Sequence, residues 1–277
     1  MNDPTRFQIL GLPRSGTTYL RNVLNGLTGV SCHQELDLIG TVWEQKQPLY
    51  EVLWHELQPW FLKLPDVERN RYALRFMTQL IDQPGCHACG NKDTTVREEH
   101  ISRADMWFTQ GNLITIIRNP YDWIVSYANL AYTKWKAGIF KMTMHPFWRK
   151  DFTQIKAFHE ADAKSMFRPQ KVRELAFMWR ALNAKLDELS EDDHVLHVHY
   201  QQLYEHPRET FERVLAHLCI DYRPDELSQV ISDQKRPGNV EVRQNAPELG
   251  THKQHLLDWE IEAIEEITEV DSQTLTW

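Results

Sequence analysis

The chain has 277 residues, enough for one large α/β domain with a sizeable core. Lys plus Arg number 31 against 39 Asp plus Glu, a formal net charge of −8, which excludes a general nucleic-acid binder and confines any anion site to a local cluster. No apolar run approaches the roughly 20 residues that cross a bilayer, Met1-Asn2-Asp3-Pro4 lacks the basic and apolar regions of a signal peptide, and four cysteines in a chain this long are no disulfide framework, so a cytosolic protein without membrane contact is expected.

In chain order, Arg6-Phe7-Gln8-Ile9-Leu10 predicts a short buried strand, and Gly11 to Gly16 a turn. Leu20, Val23, Leu24 and Leu27 keep helical spacing after it, and a second strand is expected to end near Val30-Ser31-Cys32. From about 41 to 83 aromatics and charges alternate at helical spacing, which predicts a helical insertion. Leu113-Ile114-Thr115-Ile116-Ile117 reads as a central parallel strand, buried on both faces. Asn119-Pro120 then opens a helix, with Pro at its first position. The stretch from about 137 to 169 lacks a core pattern and is taken as a lid, where Trp135 and Trp148 are candidates to line an acceptor pocket. Leu175, Trp179, Leu182 and Leu186 mark a further helix, His194 to His199 a strand, and Pro207 opens another helix. Strands alternating with helices imply a central parallel sheet flanked by helices, in three layers within one domain over residues 1–277.

The strongest local signal is Gly11-Leu12-Pro13-Arg14-Ser15-Gly16-Thr17-Thr18, a glycine loop between a strand and a helix. Such a P-loop-type turn aims backbone N–H groups and the positive helix end at a phosphate. Thr17 stands where nucleotide triphosphatases carry the lysine that neutralises the β- and γ-phosphates. The cation here is Arg14, inside the loop, which suits a donor with one 5′-phosphate and a small charged group beyond it. Arg118-Asn119-Pro120-Tyr121-Asp122 follows the central strand and offers a second anchor. Arg118 is a forked donor, and Ser126 adds a hydroxyl about two turns into the helix.

Pro13-Arg14-Ser15-Gly16-Thr17-Thr18 resembles the 5′-phosphosulfate loop of the sulfotransferases that use 3′-phosphoadenosine 5′-phosphosulfate (PAPS). Its Arg, in place of Lys, is similar to the tyrosylprotein branch. Arg118-Asn119-Pro120-x-Asp122-x-x-x-Ser126 resembles the motif that holds the 3′-phosphate. The resemblance implies an enzyme with PAPS as co-substrate, adenosine 3′,5′-bisphosphate (PAP) as product and no metal. It implies that Pro13, Arg14, Ser15, Gly16, Thr17 and Thr18 grip the 5′ side while Arg118 and Ser126 hold the 3′-phosphate. Val198-His199-Tyr200-Gln201 resembles a strand-to-helix segment whose tyrosine lies near the adenine, so Tyr200 is expected there. Asn91-Lys92-Asp93 is similar to a motif whose lysine stabilises the transferring group. Arg236-Pro237-Gly238-Asn239-Val240-Glu241 resembles a segment that closes over the 5′ side. Read without the family, Lys92 is a solvated surface charge and Tyr200 a core aromatic at a strand end.

Transfer to oxygen or nitrogen needs the acceptor proton removed. Counted without gaps from Arg14, Glu35 lands on the catalytic glutamate of the tyrosylprotein branch, and His33 is the second candidate base. Cys86-His87-Ala88-Cys89 is at most half a zinc site, with no second pair at matching spacing, so no metal is expected. The acceptor is expected to be a small molecule with a hydroxyl or an amine or carbamoyl nitrogen. A net negative surface tolerates a cationic natural product, a saxitoxin-type guanidinium compound being one example. Two other readings stay open: a nucleotide or small-molecule kinase on the same loop, and a non-catalytic PAP-binding module. The oligomeric state is open too, a homo-oligomer included.

Overall fold

Buried on both faces, a parallel strand reads as a near-continuous apolar run, and that is how β1 (Thr5–Gly11) and β4 (Asn112–Ile117) form the middle of the sheet. The computed structural model describes residues 4–34, 63–65, 68, 81–93, 112–136, 147–148, 150–188, 194–234, 250 and 252–271. They fall into two compact units: one holds residues up to Ile117 with Lys185–Arg243, the other Arg118–Ala184 with Gln244–Trp277. The predicted insertion at 41–83 lies almost wholly outside the described residues.

The first unit carries a five-stranded sheet in the order β2-β3-β1-β4-β5, where β2 is Val30–Gln34, β3 Ala88–Asp93 and β5 Val195–His199. Every neighbouring pair is parallel. After β1 the chain builds one side of the sheet, then crosses to the other, so the carboxyl end of β1 is a switch point where ligands of open α/β sheets collect. Helix α1 (Thr17–Asn25) follows β1 and buries Leu20, Val23 and Leu24.

Strand β3 is the element that local pattern does not announce. Ala88-Cys89-Gly90-Asn91-Lys92-Asp93 reads as polar and turn-like, yet it pairs with β1 on one side and β2 on the other. Gly90 explains part of this. A Cβ there would sit 2.3 Å from the Phe7 ring, so the bare backbone lets the ring of β1 lie flat across the strand. The burial then extends to Asn91 and Lys92, both 1% exposed, and Asn91 Nδ2 reaches Gln8 Oε1 of the adjacent strand. A bidentate pair of Arg6 with Asp82 (3.0 and 2.8 Å) ties β1 to the approach to β3.

The second unit is helical among its described residues. It starts with α2 (Pro120–Lys136), α3 (Phe152–His159) and α4 (Pro169–Glu188). The numbering continues in the first unit with α5 (Tyr200–Glu205), α6 (Pro207–His217) and α7 (Pro224–Gln234). The chain then returns to the second unit as α8 (His252–His255) and α9 (Asp258–Thr268). Tyr121 and Trp123 of α2 are fully buried, and the Tyr121 hydroxyl donates to Val270 O, closing the C-terminal segment onto this helix.

Within the predicted lid, residues 147–148 and 150–169 are described, and they are not without a core. Trp148, Ile155, Met166 and Phe167 are buried. Lys171 is buried with them: its Nζ lies 3.6 Å from the Phe147 ring centroid and donates to Phe147 O and Glu174 Oε2 at 2.8 Å. Asp151, bonded to Arg168 at 2.6 Å, adds a second carboxylate 3.6 Å from that ammonium. Helical periodicity misses this core because it is built around a cation and aromatic rings. Trp148 is accordingly a core residue, and the aromatic cage it helps form already encloses a cation of the chain's own.

Candidate functional site

The glycine loop sits at the carboxyl end of β1. Ser15 N donates to Leu12 O at 3.1 Å and closes a tight turn, and Leu20 N donates to Gly16 O at 3.1 Å to start α1. Two loop residues take the left-handed conformation, Arg14 with φ 75° and Gly16 with φ 93°. For a side chain as large as Arg this is a sparsely populated state, held where the surroundings over-determine it and concentrated at functional sites. Alternation of left- and right-handed residues turns successive N–H groups toward one point, the geometry of an anion nest. Gly16 is the N-cap of α1 and brings no side-chain acceptor of its own to the first amides.

Ser15 completes this cradle. Its side chain is buried, and its Oγ has no hydrogen-bond partner among the described residues. Buried hydroxyls are almost always bonded, so an orphan at the loop fits an anionic group that supplies the missing acceptor. Thr17 is buried beside it.

Tyr200, the first residue of α5, is buried against the same loop. A Cβ on Gly16 would lie 2.6 Å from Tyr200 Cδ2 and 2.9 Å from Cε2, so the ring presses on the loop where only glycine leaves room. In the next turn Tyr19 packs edge-on against Phe211 (5.8 Å, 76°). Its phenol is pushed up to about 12 by burial and by Tyr200, so it stays protonated.

Lys92 is the penultimate residue of β3, one strand in from the β2 edge of the sheet, in register with Ile9 on one side and Gln34 on the other. Its burial corrects the surface-charge reading. Its field reaches Cys32 of β2, whose thiol burial nevertheless pushes up to about 12 against the charges of Arg21 and Lys92. His33 places Nε2 3.2 Å from Ile81 O and 3.5 Å from Gln83 Nε2. Glu35, the residue after β2, and Arg236 lie outside the described residues. Cys89 is buried in β3, accepts a hydrogen bond from Gln83 N at 3.3 Å, and burial raises its thiol.

In the second unit Arg118 and Ser126 are both buried, Arg118 directly after β4 and Ser126 in the second turn of α2. Trp179 Nε1 donates to Arg118 O at 2.9 Å and fixes the backbone there. Asn119 caps the helix reciprocally: its Oδ1 accepts from Asp122 N at 2.8 Å while its Nδ2 donates to Asp122 Oδ2 at 3.1 Å. Asp122 is 1% exposed and also accepts from Gly250 N and His252 N at 3.1 Å and from His252 Nδ1 at 2.9 Å. Burial works against its ionisation, but the bonds from His252, Asn119 and Gly250, with the charge of Arg118, hold the carboxyl well below the usual range. No motif flags His252 or Gly250; 130 residues separate His252 from the aspartate it binds.

The family model described as "Sulfotransferase family" matches residues 6–224, a span that takes in the loop, Lys92, Arg118 and Tyr200. The chain belongs to the sulfotransferase family. Solved structures agree in fold. A mouse sulfotransferase complexed with PAP superposes with a TM-score of 0.55 at 13% identity, covering 96% of this chain and 83% of that one. The sulfotransferase domain of the Synechococcus PCC 7002 olefin synthase gives 0.55 at 17% identity, covering 96% and 95%. Retinol dehydratase in complex with androsterone and inactive cofactor PAP gives 0.51 at 13%, covering 97% and 81%. No curated protein matches the sequence. The parallel sheet flanked by helices is thus the sulfotransferase fold, and among the described residues no helix of this sulfotransferase is long and apolar enough to cross a membrane.

Proposed function

We propose that this sulfotransferase moves a sulfuryl group from PAPS to a hydroxyl or an amine or carbamoyl nitrogen of a small molecule, releasing PAP. The observation that carries the reading is the loop itself: left-handed Arg14 and Gly16 around a buried Ser15 hydroxyl that has no partner among the described residues. Thr17 in place of the triphosphatase lysine favours a donor with a single 5′-phosphate over ATP. PAP is the nucleotide bound by the mouse sulfotransferase and by retinol dehydratase, and the latter also holds androsterone, a small-molecule alcohol. A saxitoxin-type guanidinium acceptor is the finer proposal, resting on the net charge of −8 alone.

PAPS supplies an activated sulfuryl group whose leaving group is PAP. The loop from Pro13 to Thr18 holds the 5′-phosphate with its N–H groups and the Ser15 hydroxyl, and Arg14 and Lys92 offset negative charge there. Arg118 and Ser126 take the 3′-phosphate. Arg236 closes over the 5′ side. Tyr200 contributes to the adenine site while its ring keeps the loop in shape. Glu35 takes the acceptor proton, with His33 as the second base.

The test is incubation with ³⁵S-labelled PAPS and a chemically diverse acceptor library that includes guanidinium compounds, read by mass spectrometry. Label transfer together with calorimetric binding of PAP is expected. Preference for ATP over PAP would overturn the donor assignment, and tight PAP binding with no transfer to any acceptor would favour a non-catalytic module.

A further inference from the structure

Strand pairing sorts side chains by face, because residues in register on neighbouring parallel strands point the same way and successive residues alternate. Ile9 and Gly11 of β1 share one face with Lys92 of β3 and with Cys32 and Gln34 of β2. The donor loop turns into α1 on this side of the sheet: a Cβ on Gly11 would lie 2.8 Å from Cγ2 of Thr17, the first residue of that helix. Gln34 and Lys92 are in register, side by side on adjacent strands whose backbones run about 4.8 Å apart. The charge of Lys92 is felt at Cys32, two residues before Gln34 on the same face. Lys92 is buried, whereas Gln34 is exposed, and none of the hydrogen bonds among the described residues uses its amide.

The end of β2 is also held in place. β2 is an edge strand of the described sheet, and α1 takes the polar groups of that edge at Cys32. Asn25 Oδ1 accepts from Cys32 N at 2.6 Å, while Asn25 Nδ2 and Arg21 Nε donate to Cys32 O at 2.9 and 3.0 Å. One helix thus grows out of the donor loop at its start and clamps β2 near its finish. A side chain two residues beyond the clamp is set at a fixed distance from the loop, the condition for a specific contact. An exposed glutamine is ordinarily a solvated side chain; Gln34 differs in having a buried ammonium as its in-register neighbour. The sulfuryl group of PAPS brings several anionic oxygens past the 5′-phosphate, and a neutral amide beside the ammonium adds an N–H donor for them without adding charge.

We propose that Gln34 is a further donor-binding residue of this sulfotransferase, whose Nε2 donates to an oxygen of the transferring sulfuryl group beside Lys92. The inference rests on the reading of Lys92 as the residue that meets this group. Gln34 touches the part of PAPS that PAP lacks, so it distinguishes the loaded donor from the spent one.

The experiment measures binding of PAPS and of PAP by calorimetry, without acceptor, to the full chain and to the variants Gln34→Leu, Gln34→Ala and Lys92→Met. Gln34→Leu should weaken PAPS about three- to tenfold, the scale of one hydrogen bond from a neutral donor, and leave PAP unchanged. Gln34→Ala should match it, which separates loss of the amide from any effect of a new apolar side chain. Lys92→Met should likewise weaken PAPS more than PAP. Equal losses for both nucleotides in the Gln34 variants, or no loss for PAPS, overturn the proposal. If Lys92→Met alone separates the two nucleotides, this inference alone falls. If neither Lys92→Met nor the Gln34 variants separate them, the reading of Lys92 falls with it. Failure of the unsubstituted chain to bind either nucleotide removes the donor reading and this inference together.

Discussion

Gly16→Ala tests the loop most directly, because two separate penalties meet at one atom. The residue sits at φ 93°, where an L side chain is strained by about 1–2 kcal/mol. The added methyl would also lie 2.6 Å from Tyr200 Cδ2 and 2.9 Å from Cε2, both on a buried ring that cannot swing away. Overpacking of that kind costs about 1–3 kcal/mol. The combined loss is about 2–5 kcal/mol, a large share of a domain's typical 5–15. The two parts separate in a double-mutant cycle with Tyr200→Ala, followed by urea unfolding of all four proteins. Removing the ring should leave only the conformational penalty, so Gly16→Ala should cost about 1–3 kcal/mol less in the Tyr200→Ala background. If the cost is the same in both backgrounds, the ring does not press on the loop and Tyr200 has no part in shaping it.

Ser15→Ala should leave stability within about 0.5 kcal/mol, or raise it slightly, since the hydroxyl is buried without a partner among the described residues; calorimetry should show PAP affinity falling about tenfold. Glu35→Gln should abolish transfer while PAP binding persists, and undiminished turnover, or lost binding, would count against Glu35 as the base. Gly90→Ala should destabilise the sheet by about 2–3 kcal/mol, measured by urea midpoint, because its Cβ would fall 2.3 Å from a core phenylalanine ring. Burial lowers the pKa of His159, His197, His199, His217 and His255, so below about pH 6.5 the unfolded chain binds more protons and acidification removes stability. Glu260, raised by burial, works the other way, and Asp122 loses its contribution only below about pH 4. The urea midpoint should therefore fall from pH 7.5 to pH 5.5, less steeply in His197→Asn, and a flat profile would refute the assignment.

Much of the donor site is legible in residue order because its parts are local. The loop from Gly11 to Thr18 is one turn between one strand and one helix, and its left-handed positions, its helix N-terminus and its single cation all lie within eight residues. The Asn119–Asp122 cap is likewise a contact across three positions, written in the letters Asn-Pro-x-Asp. Pairings such as these depend on backbone geometry that short segments impose on themselves. The acceptor side is different. Its candidates Trp135 and Trp148 rest on a want of core periodicity, and Trp148 walls in Lys171.

Residue order by itself determined the strand–loop–helix at Arg14, the apolar central strand, the cap after Arg118 and, through them, the sulfotransferase family. Tertiary structure alone decided that Lys92 is buried in a strand, that Tyr200 leans on Gly16, and that His252 meets Asp122 across 130 residues. The division follows from range. Hydrogen bonds within a turn are set by a few dihedral angles, whereas a polar side chain is buried only when distant segments together supply its partners, and no local pattern records which segments those are.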